Sequence, residues 1–282
     1  MQDKIIDALF ETDAIRMAPA DQPFWYTSGM LGPFFCNTHF LLKDEQSAGD
    51  VLKVIEMAIA ENKLSAPKTI FAELKKYYDL GGTFKMTMDR LAEEASKLEF
   101  DIISGGERRD YFFSMIPAFI LNKPHLTIYK DMSGAYSESI DGEAVKPDED
   151  LLKGKKILHI CDLINTASSY ERAWVPAIRN LGAEITDTLA VVDRCQGGGA
   201  VLEGLGVKLQ TLTKIDAAFF EDIYTNGIID LAQKDFVLKY LASPMDYMEH
   251  FLKTHPDFID NELAKGGKAA ERATLAIEKG YC

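Results

Sequence analysis

Apolar residues recur at helical spacing near the start of the chain, at Ile5, Ile6, Leu9 and Phe10, and predict a short amphipathic helix. The stretch from Gln22 to Phe35 is aromatic and broken by Pro23, Gly29, Gly32 and Pro33, which suits a hairpin or irregular flap. Over 44–62 the apolar positions Val51, Leu52, Ile55 and Ile59 return to helical spacing. A second helix is expected over 67–79 on Ile70, Phe71, Leu74 and Tyr78, closed by Gly81-Gly82. A third is expected over 84–98 on Met88, Leu91, Ala95 and Leu98, with Thr83 as its N-cap. Three helices in succession break the rhythm of an alternating fold, so part of 62–98 reads as an insertion.

From residue 100 the pattern alternates. Strands are expected at Phe100–Ile103, Leu126–Tyr129, Lys156–Cys161, Glu184–Val192 and Val207–Leu212. Helices are expected over 108–121 and 168–181, the latter stopped by Gly182. A polar loop fills 131–154, and Gly197-Gly198-Gly199 forms a glycine loop. From Ile215 to the end the signal is helical. Such alternation predicts an α/β fold, a mostly parallel sheet flanked by helices through right-handed crossovers. No internal repeat or low-complexity segment interrupts it.

A length of 282 residues suits about two domains, or one large α/β domain with additions. The formal net charge of −13 argues against nucleic acid as a partner, which needs a basic footprint, and against an anionic membrane surface. No apolar run approaches the roughly 20 residues of a membrane span, and the start, Met1 to Asp7, lacks a signal peptide's apolar stretch. Cys36, Cys161, Cys195 and Cys282 form no CxxC pair, so reduced thiols in a cytoplasmic protein are expected.

Ligands of open α/β sheets bind beyond the carboxyl ends of the strands. Three such ends are polar: Ser104 to Asp110, Lys130-Asp131, and Asp162 to Ser169. In the third, an apolar strand ends in an acid, and hydroxyl residues then open a helix. Backbone N–H groups and hydroxyls at a helix N-terminus form an anion site. An adjacent carboxylate suits ribose hydroxyls, or Mg²⁺ carried on phosphate. Together they point to a phosphorylated sugar. A purely structural reading stays open, with Asp162 capping a turn and Thr166, Ser168 and Ser169 capping the helix. His159 lies inside a strand and reads as a core histidine. His39, His125, His250 and His255 have no partner at metal spacing, and no metal site is assigned. Lys265-Gly-Gly-Lys268 reads as a helix break before an amphipathic helix, with anion binding at that helix start as the alternative, and Phe24, Trp25, Tyr26, Phe34 and Phe35 either stack on a planar base or pack the flap.

The order of these segments resembles the type I phosphoribosyltransferases, most closely the orotate enzymes, over roughly residues 5–40 and 100–216. Ile157-Leu-His-Ile-Cys-Asp-Leu-Ile-Asn-Thr-Ala-Ser-Ser169 looks like the phosphoribosyl diphosphate motif, four apolar residues, two acids, two apolar residues and Thr-Thr-Gly-Gly-Ser/Thr. Asp101 to Arg109 sits where the family has its diphosphate loop, Lys130 where it has a phosphate-contacting lysine, Tyr26 to Phe35 where it has its hood, and Ala190 to Arg194 on the strand of its base-contacting arginine. The resemblance implies an N-terminal hood (1–40), a helical segment with the insertion (41–99), a phosphoribosyltransferase-like core (100–229) and a helical tail (230–282). It assigns catalysis to Asp162 and Lys130, and the 5′-phosphate to Asn165, Thr166, Ala167, Ser168 and Ser169. Gly105, Gly106, Glu107, Arg108 and Arg109 take the diphosphate, and Phe34, Phe35 and Arg194 the base. Mg²⁺ would enter on the substrate diphosphate, and a homodimer is implied.

The departures concern catalysis. The motif's first acid is Cys161, its paired glycines are Ala167 and Ser168, and the hood lysine is Thr27. Residues 131–145, in place of a mobile loop rich in lysine and histidine, contain neither. That loop balances charge building on the leaving diphosphate, so its loss should cost rate. Arg108 and Arg109 stand as replacements, since guanidinium groups bind phosphate bidentately. The expected activity is transfer of phosphoribose from phosphoribosyl diphosphate to a pyrimidine-like base such as orotate. The alternatives are a non-catalytic regulatory protein that binds the nucleotide or phosphoribosyl diphosphate, and a scaffold with an empty site.

Overall fold

A computed structural model describes residues 4–19 and 21–282. Residues 1–3, which belong to the start read as lacking a signal peptide, lie outside it, as does residue 20. The chain divides into two compact units: residues up to Ala14 with Thr38–Lys214, and Ile15–Asn37 with Ile215–Cys282.

In the first unit, α1 (Lys4–Glu11) buries Ile5, Ile6 and Leu9. A 3₁₀ turn, Thr38–Leu42, leads into α2 (Glu45–Glu61), capped by the Asp44 carboxylate on the Ser47 N–H at 2.7 Å. Helices α3 (Ala66–Leu80) and α4 (Gly82–Ala95) follow. The sheet comprises β1 (Ile102–Gly106), β2 (His125–Ile128), β3 (Gly134–Ser137), β4 (Lys156–Ile164), β5 (Glu184–Asp193) and β6 (Lys208–Lys214), with α5 (Tyr111–Ile120) between β1 and β2. Its spatial order is β6-β5-β4-β1-β2-β3, parallel except for β3. Strand β4 is central. It pairs with β1 through Ile102↔Ile157 and Ser104↔His159, and with β5 through Cys161↔Ala190 and Ile164↔Asp193. A strand covered on both faces carries apolar residues at consecutive positions, as Ile157, Leu158, Ile160 and Cys161 do. Ile157 and Cys161, on one face, pack with Trp174, Val175, Ile178 and Leu202 into one core.

In the second unit, Ile15–Met17 pairs antiparallel with Phe34–Cys36, and Phe24–Trp25 with Leu31–Gly32. Five helices follow: Ala217–Thr225, Leu231–Ala242, Pro244–Thr254, Phe258–Lys265 and Gly267–Glu278. Phe34 packs on Phe220 and Tyr240 at ring distances of 5.2 and 6.0 Å. The Trp25 indole N–H donates to Glu262 at 2.8 Å. A Cβ at Gly32 would lie 2.2 Å from the Tyr26 ring, so only glycine fits there.

Five local expectations change. Thr83 is not an N-cap; it lies inside α4 and its hydroxyl donates to the Leu41 carbonyl at 3.1 Å. The polar stretch 131–154 contains β3, whose pairing with β2 extends the sheet, and a helical turn, Glu149–Leu152. Gly197, at φ 92°, starts a helix over Gly198–Gly204 rather than an open loop. The helix expected at 168–181 winds as a π turn over Tyr170–Trp174 before its α-helical part, Val175–Arg179. Strand β4 also runs past Cys161 to Ile164, because Leu163 and Ile164 go on pairing with Val192 and Asp193.

Candidate functional site

A cavity of about 370 Å³ opens beyond the carboxyl ends of β1 and β4. Its walls are Glu107 to Asp110, Lys130, Cys161 to Tyr170, and Trp174.

The β4 wall is a turn that offers donors. Ala167 holds φ at 53°, a left-handed conformation that costs a side-chain-bearing residue about 1–2 kcal/mol. That turn exposes the N–H groups of Thr166 to Ser169, which find no acceptor among the described residues. They lie at the start of a helix, where amides have no partner within the helix itself. The buried Asn165 side-chain oxygen also lacks a hydrogen-bond partner among them. Gly198 donates to the Asn165 carbonyl at 2.9 Å, and a Cβ there would meet that oxygen at 2.5 Å, so the turn's base requires glycine. Arg172, one helical turn on, donates to the Ser168 carbonyl and hydroxyl at 3.2 and 3.3 Å.

The β1 wall is held by contacts from distant elements. The Glu107 N–H donates to the Ile128 carbonyl at 2.9 Å, and the Glu107 carboxylate accepts from the Lys130 N–H at 3.0 Å. The Lys130 ammonium lies 3.6 Å from that same carboxylate. Arg108 pairs with Glu56 of α2. Arg109 makes no ion pair among the described residues. Gly105 and Gly106 are buried in β1, and neither wall position admits a side chain: a Cβ would come within 2.2 Å of the Ser114 hydroxyl at Gly105 and 2.3 Å of the Trp174 indole at Gly106.

Asp162 and Asp110 meet between the walls. Asp110 accepts from the Gly106 N–H at 3.1 Å, the Asp162 N–H at 3.2 Å and His159 Nε2 at 3.3 Å. On its other side, His159 Nδ1 lies 2.8 Å from the Ser104 hydroxyl. With Nε2–H facing the carboxylate, Nδ1 accepts from Ser104. The Asp162 carboxylate accepts from the Leu163 N–H at 2.6 Å and the Thr38 hydroxyl at 3.5 Å. Burial, together with the neighbouring Asp110 charge, pushes the Asp162 carboxyl up to about 7, against a smaller opposing pull from Arg109. His39, buried and near Arg109 and Arg108, is pushed down to about 3, burial being the larger cause. Burial also raises the Cys161 thiol, which packs beside Tyr170 and Thr188.

The residues assigned from sequence to phosphate, diphosphate and ribose therefore gather at one cavity: Glu107, Arg108, Arg109, Lys130, Asp162, Asn165, Thr166, Ala167, Ser168 and Ser169 all line it. Gly105 and Gly106 stand behind it. Arg194 is half-buried just past β5 and donates its backbone N–H to Ile164 at 2.9 Å. Phe34 and Phe35 belong to the second unit, where Phe34 is 1% exposed and Phe35 pairs with Phe24 at 5.9 Å. Sequence reading missed Asp110, His159, Trp174 and Arg172 as parts of the site. Asp110 was in view at the end of the β1 loop, but its contact with Asp162 spans 52 residues. The clue within reach was Arg172, placed four residues beyond Ser168 on the same helix face.

No family model matches the chain. It is 35% identical over 95 residues to the orotate phosphoribosyltransferase of Saccharolobus solfataricus, across 34% of this chain and 48% of that enzyme, so the match spans about half of that relative's length. It is 30% identical over 139 residues to the adenine phosphoribosyltransferase of Roseobacter denitrificans, across 46% of this chain and 78% of that one. In fold it is similar to the orotate phosphoribosyltransferase of Francisella tularensis, at a TM-score of 0.54 and 14% identity, over 83% of this chain and 96% of that one. Sheet order, strand-end cavity and these similarities together make the chain a divergent member of the type I phosphoribosyltransferase family, most like its orotate enzymes.

Proposed function

We propose that this chain binds phosphoribosyl diphosphate in the β1–β4 cavity and transfers its phosphoribosyl group to a ring nitrogen of a pyrimidine-like base such as orotate. The observation that carries the reading is the turn from Asn165 to Ser169, with its unpartnered N–H groups, lying beside the buried Asp162 carboxyl. Amides and hydroxyls of the turn suit the 5′-phosphate. Asp162 suits the ribose hydroxyls as an acceptor, and Arg109, Arg108 and Lys130 suit diphosphate oxygens. In the reaction the base nitrogen bonds to the anomeric carbon as the carbon–oxygen bond to diphosphate breaks. Diphosphate leaves with the bonding electrons, and the proton lost by the nitrogen passes to water. Positive charge grows on the sugar and negative charge on the leaving group, so positioned charges do most of the work. Arg194 is assigned to the base.

The described residues contain no cluster of three or more His, Cys, Asp or Glu side chains able to cage a metal. That donor set fits a Mg²⁺ held by the substrate's own diphosphate and water, as is usual for this ion. When bound, it would neutralise charge on the leaving group. The chain's part is to grip the diphosphate. No helix among the described residues is long and apolar enough to cross a membrane. A homodimer remains part of the proposal, since related sites are completed by a neighbour's loop.

One observation favours the regulatory reading instead. Two of the three cations at the diphosphate wall are already paired, Arg108 with Glu56 and Lys130 with Glu107. Calorimetry with phosphoribosyl diphosphate and Mg²⁺, followed by diphosphate release with orotate or adenine, separates the readings. Binding with orotate-dependent release is expected. Binding without release on either base favours a regulatory protein, and no binding overturns both.

A further inference from the structure

We propose that Asp110 supplies the second carboxylate of the sugar site, so that the acid pair missing from the β4 motif is rebuilt in space from two loops. The proposal rests on the phosphoribosyl diphosphate reading of the cavity. The motif has one acid, because position 161 is cysteine. Its thiol is 2% exposed and faces Tyr170 and Thr188. Asp110 comes instead from the end of the β1 loop, lines the cavity, and lies within hydrogen-bonding reach of the Asp162 carboxyl.

Its own surroundings suit this role. The Gly106 N–H, the Asp162 N–H and His159 Nε2 all converge on one carboxylate, which is 8% exposed and lines the cavity. The same contacts tie the diphosphate loop to the sugar strand. Burial and the facing Asp110 charge favour the protonated form of Asp162. The groups that face the pair are His159 and Cys161 from β4, Arg109 from the β1 loop, Tyr170 from the following helix, and Thr38 from the 3₁₀ turn. Among these only the Arg109 charge draws Asp162 toward its ionised form, apart from the Leu163 amide. The ligand chemistry that fits is a vicinal diol next to a phosphate: one hydroxyl donates to each carboxyl, and the Asp162 proton leaves to solvent as that acceptor forms.

The test compares ribose 5-phosphate with 2-deoxyribose 5-phosphate by calorimetry, using the full chain and its Asp110→Asn variant, from pH 5.5 to 8.5. The unaltered protein is expected to prefer the ribose sugar by about tenfold at pH 8.5, the strength of one hydrogen bond to a charged group, and by less at pH 5.5. Asp110→Asn is expected to lose most of that preference and its pH dependence while still binding phosphoribosyl diphosphate. A preference that survives intact in Asp110→Asn overturns the pair and leaves the nucleotide reading standing. If the variant does not fold, the unaltered protein decides: a preference that is absent, or flat across pH, overturns the pair. Failure of the unaltered protein to bind ribose 5-phosphate or phosphoribosyl diphosphate at all overturns the underlying reading instead.

Discussion

At the end of β4 the chain shapes its wall locally. One left-handed residue, Ala167, and one helix start present the amides of Thr166–Ser169 at the cavity, with Gly198 under Asn165 as a distant support. At the end of β1 the opposing wall is shaped from a distance. Trp174 packs over Gly106, Glu56 holds Arg108, Ile128 anchors Glu107, and His159 holds Asp110. A local wall keeps its form if its own residues are kept. A wall assembled from distant partners changes its charge when any one of them changes, without a substitution in the loop. The β4 wall is therefore the more robust half of the site, and the β1 wall the half whose charge is tuned.

The most severe way to break this division is to place a second acid within β4 itself. Cys161→Asp recreates the motif seen in related enzymes, but the position faces Tyr170 and Thr188 in the core and already feels the Asp110 charge. Leaving a buried charge without a partner costs about 3–5 kcal/mol. The variant is expected to lower the unfolding free energy by that amount and to gain no affinity, as urea titration and calorimetry will read. Restored affinity with unchanged stability would place the motif's missing acid back at 161.

Asp162→Asn acts on the boundary between the walls. Loss of a charged acceptor is worth about 1.5–3 kcal/mol, so phosphoribosyl diphosphate affinity should fall roughly tenfold to a hundredfold. The fold should persist, because the amide oxygen still accepts from the Leu163 N–H. Unfolding with intact affinity in the folded remainder would make Asp162 a structural cap.

The pH dependence of stability sharpens the same point. An unfolded aspartate loses its proton near 3.8, whereas folded Asp162 keeps it up to about 7. Its contribution is therefore present below pH 4 and lost as pH rises to about 7. His39 and His125, both lowered from 6.5 to about 3, act oppositely: their contribution is present above pH 6.5 and lost as pH falls toward 3. Chemical denaturation at pH 4.5, 6 and 7.5 should show Asp162→Asn gaining stability over the unaltered protein as pH rises. A constant difference would mean that Asp162 is ionised throughout.

The mildest change probes the distant wall alone. Glu56→Gln frees Arg108 and should strengthen diphosphate binding severalfold, while stability moves by less than about 1 kcal/mol because the pair lies at the surface. No change in diphosphate affinity would show that Arg108 does not reach the ligand.

The same division explains what the sequence revealed. The β4 wall was legible because its apolar run, acid and hydroxyl turn are consecutive. The core strands from 156 and 184 were legible because a fully covered sheet needs uninterrupted apolar residues. The π turn at Tyr170–Trp174 was not, since its apolar spacing looks like that of an α-helix until Trp174 has to pack over Gly106. Strand β3 was hidden in a polar stretch because a strand at the rim of the sheet needs few apolar residues; its residues alternate in burial, with Ala135 and Ser137 inward. Asp110 was read as one more polar residue, because the contact that gives it meaning joins segments far apart in the chain.

Trp174 has a further consequence for observing the molecule. The chain has two tryptophans, and they lie in different units. Trp25 is hydrogen-bonded to Glu262 in the second unit, while Trp174 edges the cavity and stacks on His159 at 6.2 Å. Indole emission responds to the polarity around the ring and is quenched by nearby imidazole. A Trp25→Phe chain would therefore carry a single optical reporter at the cavity's edge, allowing ligand binding to be timed in stopped flow without any attached dye.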